Sequence, residues 1–352
     1  MGATRNFVPL AVCWVPMMRA MVMAAGLGTR LRPITNAIPK PVVPVGNVAI
    51  VEQLVRLLAG HGVGEVIANL HWFPEQVQGQ LGDGSDLGVE VSYRHEEELL
   101  GTAGGVRNVS DFLTTGAEDT FIVLAGDALT DVDLTALVAA HRATGGVATL
   151  AVKKVADVSQ YGVIVTDGEG RVQGFQEKPD PAEALSDLVN CMIYAFSPEV
   201  FDYFPDPDPI DFALDVFPSL LSHDVPFHVH EIEGYWNDVG TLPEYLQGNL
   251  DAVEGAVEMP CLGGELGDGS LPARVDAGAD VEVEGRVLFG EGCTIGAGAK
   301  LTGPLVIGTG AEVGAGAQVK EALLLPGARV ADGGLLARGI AGDAARLASG
   351  EW

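Results

Sequence analysis

Between residues 283 and 325 an apolar side chain returns at every sixth position: Val283, Phe289, Ile295, Leu301, Ile307, Val313, Val319 and Leu325. Neither the 3.6-residue period of a helix nor the two-residue period of a strand generates six. Glycine follows the apolar residue at Gly290, Gly296, Gly308 and Gly314, and small residues fill the intervals. A β-solenoid meets this pattern, with each flat side using one hexapeptide and stacking one apolar residue inward. The chain beyond about Met259 is therefore read as a short solenoid.

The preceding part has a different rhythm. From Met18 to about Ala256, short β-rich runs alternate with amphipathic helical stretches, which argues for an α/β unit with a mainly parallel sheet. Candidate strands are 20–25, 65–69, 90–93, 120–124, 148–152, 162–166, 189–196 and 226–231, with a further strand-like run over 171–175. Candidate helices are 50–60, 74–81, 102–109, 134–144 and 243–254. Ligands of such sheets sit beyond the carboxyl ends of the strands.

The first strand runs into Gly26-Leu-Gly-Thr-Arg-Leu-Arg-Pro-Ile-Thr-Asn-Ala-Ile-Pro-Lys-Pro41. Gly26 and Gly28 allow a turn tight enough for backbone N–H groups to face an anion, and Arg30, Arg32 and Lys40 supply fixed positive charge. The chain carries 48 acidic residues and a net charge of −28, yet no acid precedes Glu52, while five Lys or Arg residues do. Close approach to a triphosphate requires such an acid-free segment. A dinucleotide-binding turn is the competing reading, with Glu52 at a suitable distance for a ribose. Leu31 stands where its third glycine belongs, and two arginines would crowd the turn.

The overall acidity argues against nucleic acid and an anionic membrane face as partners. Four cysteines, Cys13, Cys191, Cys261 and Cys293, lack C-x-x-C spacing, so neither zinc nor a disulfide framework is indicated, and a reducing cytoplasm fits. No run reaches the length of a membrane span. Residues 1–17 read as a disordered extension or the product of an upstream start, and residues 341–352 as a tail.

Leu124-Ala-Gly-Asp127 ends a strand on a carboxylate at the ligand-facing edge, where a hard divalent cation finds oxygen donors. The alternative is an Asp that caps the next helix, for which Asp131 and Asp133 serve equally. A second carboxylate lies in Gly234-Tyr-Trp-Asn-Asp238-Val-Gly-Thr241, where Trp236 reads as packing. Glu177-Lys178-Pro179 could be a surface ion pair before a proline, or a carboxylate for sugar hydroxyls beside an ammonium for a phosphate.

Taken together, G-x-G-T-R-x-x-P-x-T, P-K-P, E-K-P, W-x-D-V-G and the hexapeptide tail resemble the sugar-1-phosphate nucleotidyltransferases, nearest to the mannose-1-phosphate guanylyltransferases. The resemblance implies a Rossmann-like catalytic unit over 18–256 and a left-handed parallel β-helix over 257–340. It implies that Ala25, Gly26, Gly28, Thr29, Asn69, Gly101 and Thr102 bind the nucleotide, with Arg30 and Lys40 catalytic. It further implies that Gly162, Glu177, Lys178 and Asn190 hold the sugar phosphate and that Asp127 and Asp238 hold Mg²⁺. One departure is Met192, where the family more often has glycine.

The reaction so implied joins an NTP and a sugar 1-phosphate into NDP-sugar and pyrophosphate, with GTP and mannose 1-phosphate as the first choice. Glucose 1-phosphate with UTP, ATP or dTTP is the alternative, although Leu99-Leu-Gly-Thr-Ala-Gly104 lacks the glutamine that thymidylyltransferases tend to carry. A non-catalytic subunit that senses nucleotide sugars is a second alternative, opposed by the joint presence of Arg30, Lys40, Asp127, Lys178 and Asp238. All seven histidines lie at or before His230, so the solenoid lacks the base on which hexapeptide acyltransferases usually depend. Its open strand edges suit it to homo-oligomer assembly.

Overall fold

The computed structural model describes residues 18–116, 119–206 and 208–342; the N-terminal extension and residues 343–352 of the tail lie outside the described residues. The first half is built from β1 (Met18–Met23), α1 (Ile50–Gly60), β2 (Val63–Leu70), α2 (Pro74–Leu81), β3 (Glu90–His95), α3 (Gly101–Arg107) and β4 (Phe121–Ala125). The second half adds α4 (Leu134–Thr144), β5 (Ala148–Lys154), β6 (Gly162–Thr166), β7 (Val172–Glu177), β8 (Leu188–Phe196), β9 (His228–Glu231) and α5 (Leu242–Glu254).

One sheet runs in the order β7, β6, β8, β4, β1, β2, β3, with β5 pairing both β8 and β9. Strand β1 lies parallel to β2 and β4, and β2 parallel to β3. These central strands are covered on both faces, which explains their unbroken apolar runs: all five residues of β4 are buried. Beyond β4 the sheet turns antiparallel, since β8 opposes both β4 and β5. The parallel character read from the sequence thus belongs chiefly to β1 through β4, with β9 also parallel to β5, and the whole sheet is mixed.

After residue 275 the chain winds into a parallel β-helix with three flat faces. Ile295 stacks on Val313 and then Val330, Leu301 on Val319 and then Leu336, and Phe289 on Ile307. Six of the eight periodic residues fill the interior, with Val283 packed against it. Leu325 does not, because Ile307 pairs with Leu324 instead. The corner from Thr302 to Val306 contains Gly303, Pro304 and Leu305, whereas the matching corner from Lys320 to Leu323 contains only Glu321 and Ala322. That single missing residue turns Leu325 outward.

Leu325 joins Leu288, Val306 and Leu323 on the outer side of one solenoid face, in the same apolar cluster as Tyr245, Ala252 and Val253 of α5. Helix α5 therefore packs along the solenoid. Polar contacts secure the seam: Asn47 Nδ2 donates to the Ile307 carbonyl at 3.0 Å and Arg286 Nη1 to the Glu254 carbonyl at 2.5 Å.

Candidate active site

Strand β1 ends at Met23, earlier than its apolar run, and the freed Ala24 N–H donates to Asn69 Oδ1 at 2.7 Å. Asn69 Nδ2 in turn donates to Glu96 Oε1 at 2.8 Å, and Glu96 Oε2 accepts the Leu100 N–H at 3.2 Å. Asn69 and Glu96 are both buried. The Asn69 amide, expected to bind the nucleotide, thus braces the start of the glycine loop from below. Gly105 of α3 comes so close that a Cβ there would lie 2.8 Å from both the Asn69 amide and the Glu96 carboxylate.

Gly28 sits at φ +60°, and a Cβ on it would meet Lys40 Cβ at 2.9 Å. Both the left-handed backbone and the close approach require glycine. The loop, through Gly26, Gly28, Thr29 and Arg30, forms one wall of a cavity closed by Lys40, Asp127 and Gly240. Ala25 is buried beside it, and Arg32 is exposed and outside these walls.

Lys40 is buried and donates to Asp127 Oδ2 at 2.6 Å and to the Asp238 carbonyl at 2.9 Å. Arg30 Nη2 lies 3.7 Å from Asp238 Oδ2, whereas Asp238 Oδ1 is buried without a hydrogen-bond partner. Burial raises the Asp238 carboxyl pKa, as do the neighbouring Glu244 and Asp127 charges, against the pull of Lys40 and Arg30. Asp127 is not a helix cap: Asp133 caps α4, and Asp131 accepts the Tyr235 and Glu258 N–H groups.

The chemistry of this donor set fits a hard divalent cation, with one carboxylate oxygen desolvated and unpaired and a second carboxylate sharing Lys40. Among the described residues no cluster of three or more potential ligands forms. Phosphate oxygens and water would have to complete the shell.

A second cavity meets the first at Arg30, Lys40 and Asp127. Thr102, Gly162, Glu177, Lys178, Asn190 and Asp238, all anticipated site residues, line it. Lys178 Nζ pairs with Glu177 at 2.9 Å, both side chains being about half exposed, and the Lys178 N–H donates to the Tyr161 carbonyl at 3.0 Å. Asn190 Nδ2 donates to Tyr194 Oη at 2.9 Å. Thr102 Oγ1 donates to Asp211 Oδ2 at 2.8 Å and accepts the Phe212 N–H at 3.1 Å. Gly101, at φ +83°, is pressed on Ile210, whose carbonyl would be 2.3 Å from a Cβ there. That contact packs the start of α3 closely against Ile210.

Asp211 and Glu244, which no motif singles out as site residues, also bond to residues lining this cavity. Tyr161 Oη donates to Glu244 Oε1 at 3.2 Å, and Thr241 Oγ1 donates to Glu244 Oε2 at 2.9 Å. Burial, then the Asp238 and Glu244 charges, push the Tyr161 pKa up, so the phenol stays a donor. Glu244 carried a readable signal, since Thr241-x-x-Glu244 before an apolar run is a capping box. Asp211 carried none.

Residues 19–255 match the family model described as Nucleotidyl transferase. A UTP–glucose-1-phosphate uridylyltransferase of Synechocystis sp. is 42% identical over 241 residues, covering 65% of this chain and 62% of the relative. The match therefore spans less than two thirds of that relative's length. A mannose-1-phosphate guanylyltransferase of Mycobacterium tuberculosis is 33% identical over 278 residues, covering 79% of this chain and 76% of the relative. A crystal structure of a candidate glucose-1-phosphate thymidylyltransferase from Bacillus anthracis, bound to sucrose, superposes with a TM-score of 0.60 at 25% identity, covering 66% of this chain and 94% of that one. With the sheet, the glycine loop and the Lys40–Asp127–Asp238 cluster all inside the matched region, the chain belongs to the nucleotidyl transferase family.

Proposed function

We propose that this chain transfers a nucleoside monophosphate from an NTP to a sugar 1-phosphate, with GTP and mannose 1-phosphate as the first pair to test. The observation that carries this reading is the meeting of two cavities at Arg30, Lys40 and Asp127, one walled by the glycine loop and the other by Glu177, Lys178 and Asn190. In the first, backbone N–H groups and Arg30 receive the triphosphate. In the second, Lys178 holds the sugar's phosphate, and Glu177 with Asn190 the sugar.

A phosphate oxygen of the sugar attacks the α-phosphorus in line while pyrophosphate departs, so positioning and charge neutralisation supply the rate. Lys40 holds positive charge at the junction, and Arg30 neutralises the α-phosphoryl and the departing pyrophosphate. Asp127 and Asp238 would hold Mg²⁺, which, when bound, neutralises phosphate charge. Residues 18–256 constitute the catalytic unit in this reading and 257–340 the β-helix, through which copies of the chain assemble. No helix among the described residues is long and apolar enough to cross a membrane. We place the reaction in the cytoplasm, without nucleic-acid or membrane partners.

UTP with glucose 1-phosphate is the second pair, favoured by the 42% identity to the cyanobacterial uridylyltransferase. A matrix of NTPs and sugar 1-phosphates read by pyrophosphate release tests both. Turnover is expected with one pair well above the rest. NDP-sugar binding without turnover of any pair would replace transfer by sensing.

A further inference from the structure

Strand β8 borders the sugar-side cavity and leaves the regular ladder there. Asn190 pairs with Val152 of β5, and pairing resumes at Tyr194 opposite Leu150. Cys191, Met192 and Ile193 thus stand against the single residue Ala151, a bulge that re-aims neighbouring side chains. Met192 occupies its apex at φ +54°. Glycine adopts that left-handed conformation freely, whereas a side chain is strained in it.

The bulge orients Asn190. The Met192 N–H donates to Asn190 Oδ1 at 3.0 Å while Asn190 Nδ2 donates to Tyr194 Oη. Glycine at 192 would serve this backbone at lower conformational cost, so the reason for methionine lies in its side chain. That side chain is half-buried, packs against the apolar cluster containing Tyr194 and Phe212, and borders the same cavity as Gly162, Lys178 and Trp236. An unbranched thioether fills irregular space of this kind.

We propose that Met192 is a specificity-determining residue that narrows the sugar side of the cleft and rejects sugar 1-phosphates bearing a substituent bulkier than hydroxyl, such as an acetamido group. The proposal rests on the nucleotidyl-transfer reading for its substrate class. A binding measurement separates the two.

The test compares the full chain with Met192→Gly and Met192→Ala. Glucose 1-phosphate, mannose 1-phosphate and N-acetylglucosamine 1-phosphate are each assayed by pyrophosphate release and by titration calorimetry. In both variants the preference for the plain hexose phosphate over the acetamido sugar should fall at least tenfold in kcat/KM and in binding, while KM for the NTP changes less than twofold. Met192→Gly should melt above Met192→Ala, because both lose the side chain and only glycine relieves the backbone. An unchanged preference in folded variants, or a wild type that accepts the acetamido sugar equally, overturns the proposal. A wild type that binds sugar phosphates selectively without turnover overturns the transfer reading alone, and the binding ratio still decides the role of Met192.

Discussion

The Lys40 ammonium bonds to the Asp127 carboxylate at 2.6 Å while donating to the Asp238 main-chain oxygen at 2.9 Å, so one buried cation joins the glycine-loop segment, the end of β4 and the turn before α5. Such a charge is preorganised before substrate arrives. Lys40→Ala, and Arg30→Ala beside it, should lower turnover by about a hundredfold or more, the scale of losing a fixed charge at a developing anion. Circular dichroism should show the fold retained. Near-normal rates in either variant would remove that residue from the chemistry.

The unpartnered Asp238 Oδ1 makes a separate prediction about metal. Excess chelator should abolish activity, and Asp127→Asn or Asp238→Asn should weaken metal dependence and rate together. In metal-free protein, Asp238→Asn should melt no lower than wild type, because it removes a buried charge raised in energy by desolvation, Glu244 and Asp127. Full activity in chelator, or a marked loss of metal-free stability in Asp238→Asn, would contradict this account.

What could be read from the sequence was local chemistry. The glycine loop, the carboxylate ending β4 and the Glu177–Lys178 pair are each contained in a few adjacent residues, and all border the two joined cavities. Asp211 enters the cavity from a segment far from Thr102 in the chain, and no spacing rule connects the two. Asn69 was legible as a polar residue at a strand end, but whether its amide faces a ligand or braces the loop depends on Glu96, which folding brings beneath it. The apolar run of β8 marks a strand without revealing its direction. Leu325 fell out of register because one corner of the solenoid is a residue shorter, a change that counting by six does not detect.

His141 provides a pH dependence that has nothing to do with catalysis. The residue is 2% exposed, with Nδ1 at 3.1 Å from Thr149 Oγ1 and Nε2 at 3.0 Å from Ser197 Oγ. Burial holds its pKa down to about 4, from 6.5. Between those values the unfolded chain binds the proton and the folded one does not, so stability falls as the solution is acidified through this window. The slope from this one group reaches at most about 1.4 kcal/mol per pH unit. Urea unfolding of His141→Gln across the same range should give a shallower acid loss than wild type, the carboxylate contributions cancelling in the comparison. Parallel curves would mean that His141 charges without cost.

The docking of the solenoid on α5 reaches the candidate site through the helix itself, whose first turn carries Glu244, the acceptor for Tyr161. Val306 is fully buried in that seam, among the outward residues of the solenoid face. Val306→Asp would bury a carboxylate in apolar surroundings and should cost at least about 2 kcal/mol of unfolding free energy. A wild-type melting curve would show that the face is not docked in solution. Removing the residues after Met259 uncovers the same side of α5, so the shortened chain should be less stable and change its assembled mass in light scattering, while keeping measurable transfer. A folded, shortened chain of unchanged subunit number would end the assembly role, and one that is folded but inactive would give the solenoid a direct part in holding Glu244 and Asp238 in place.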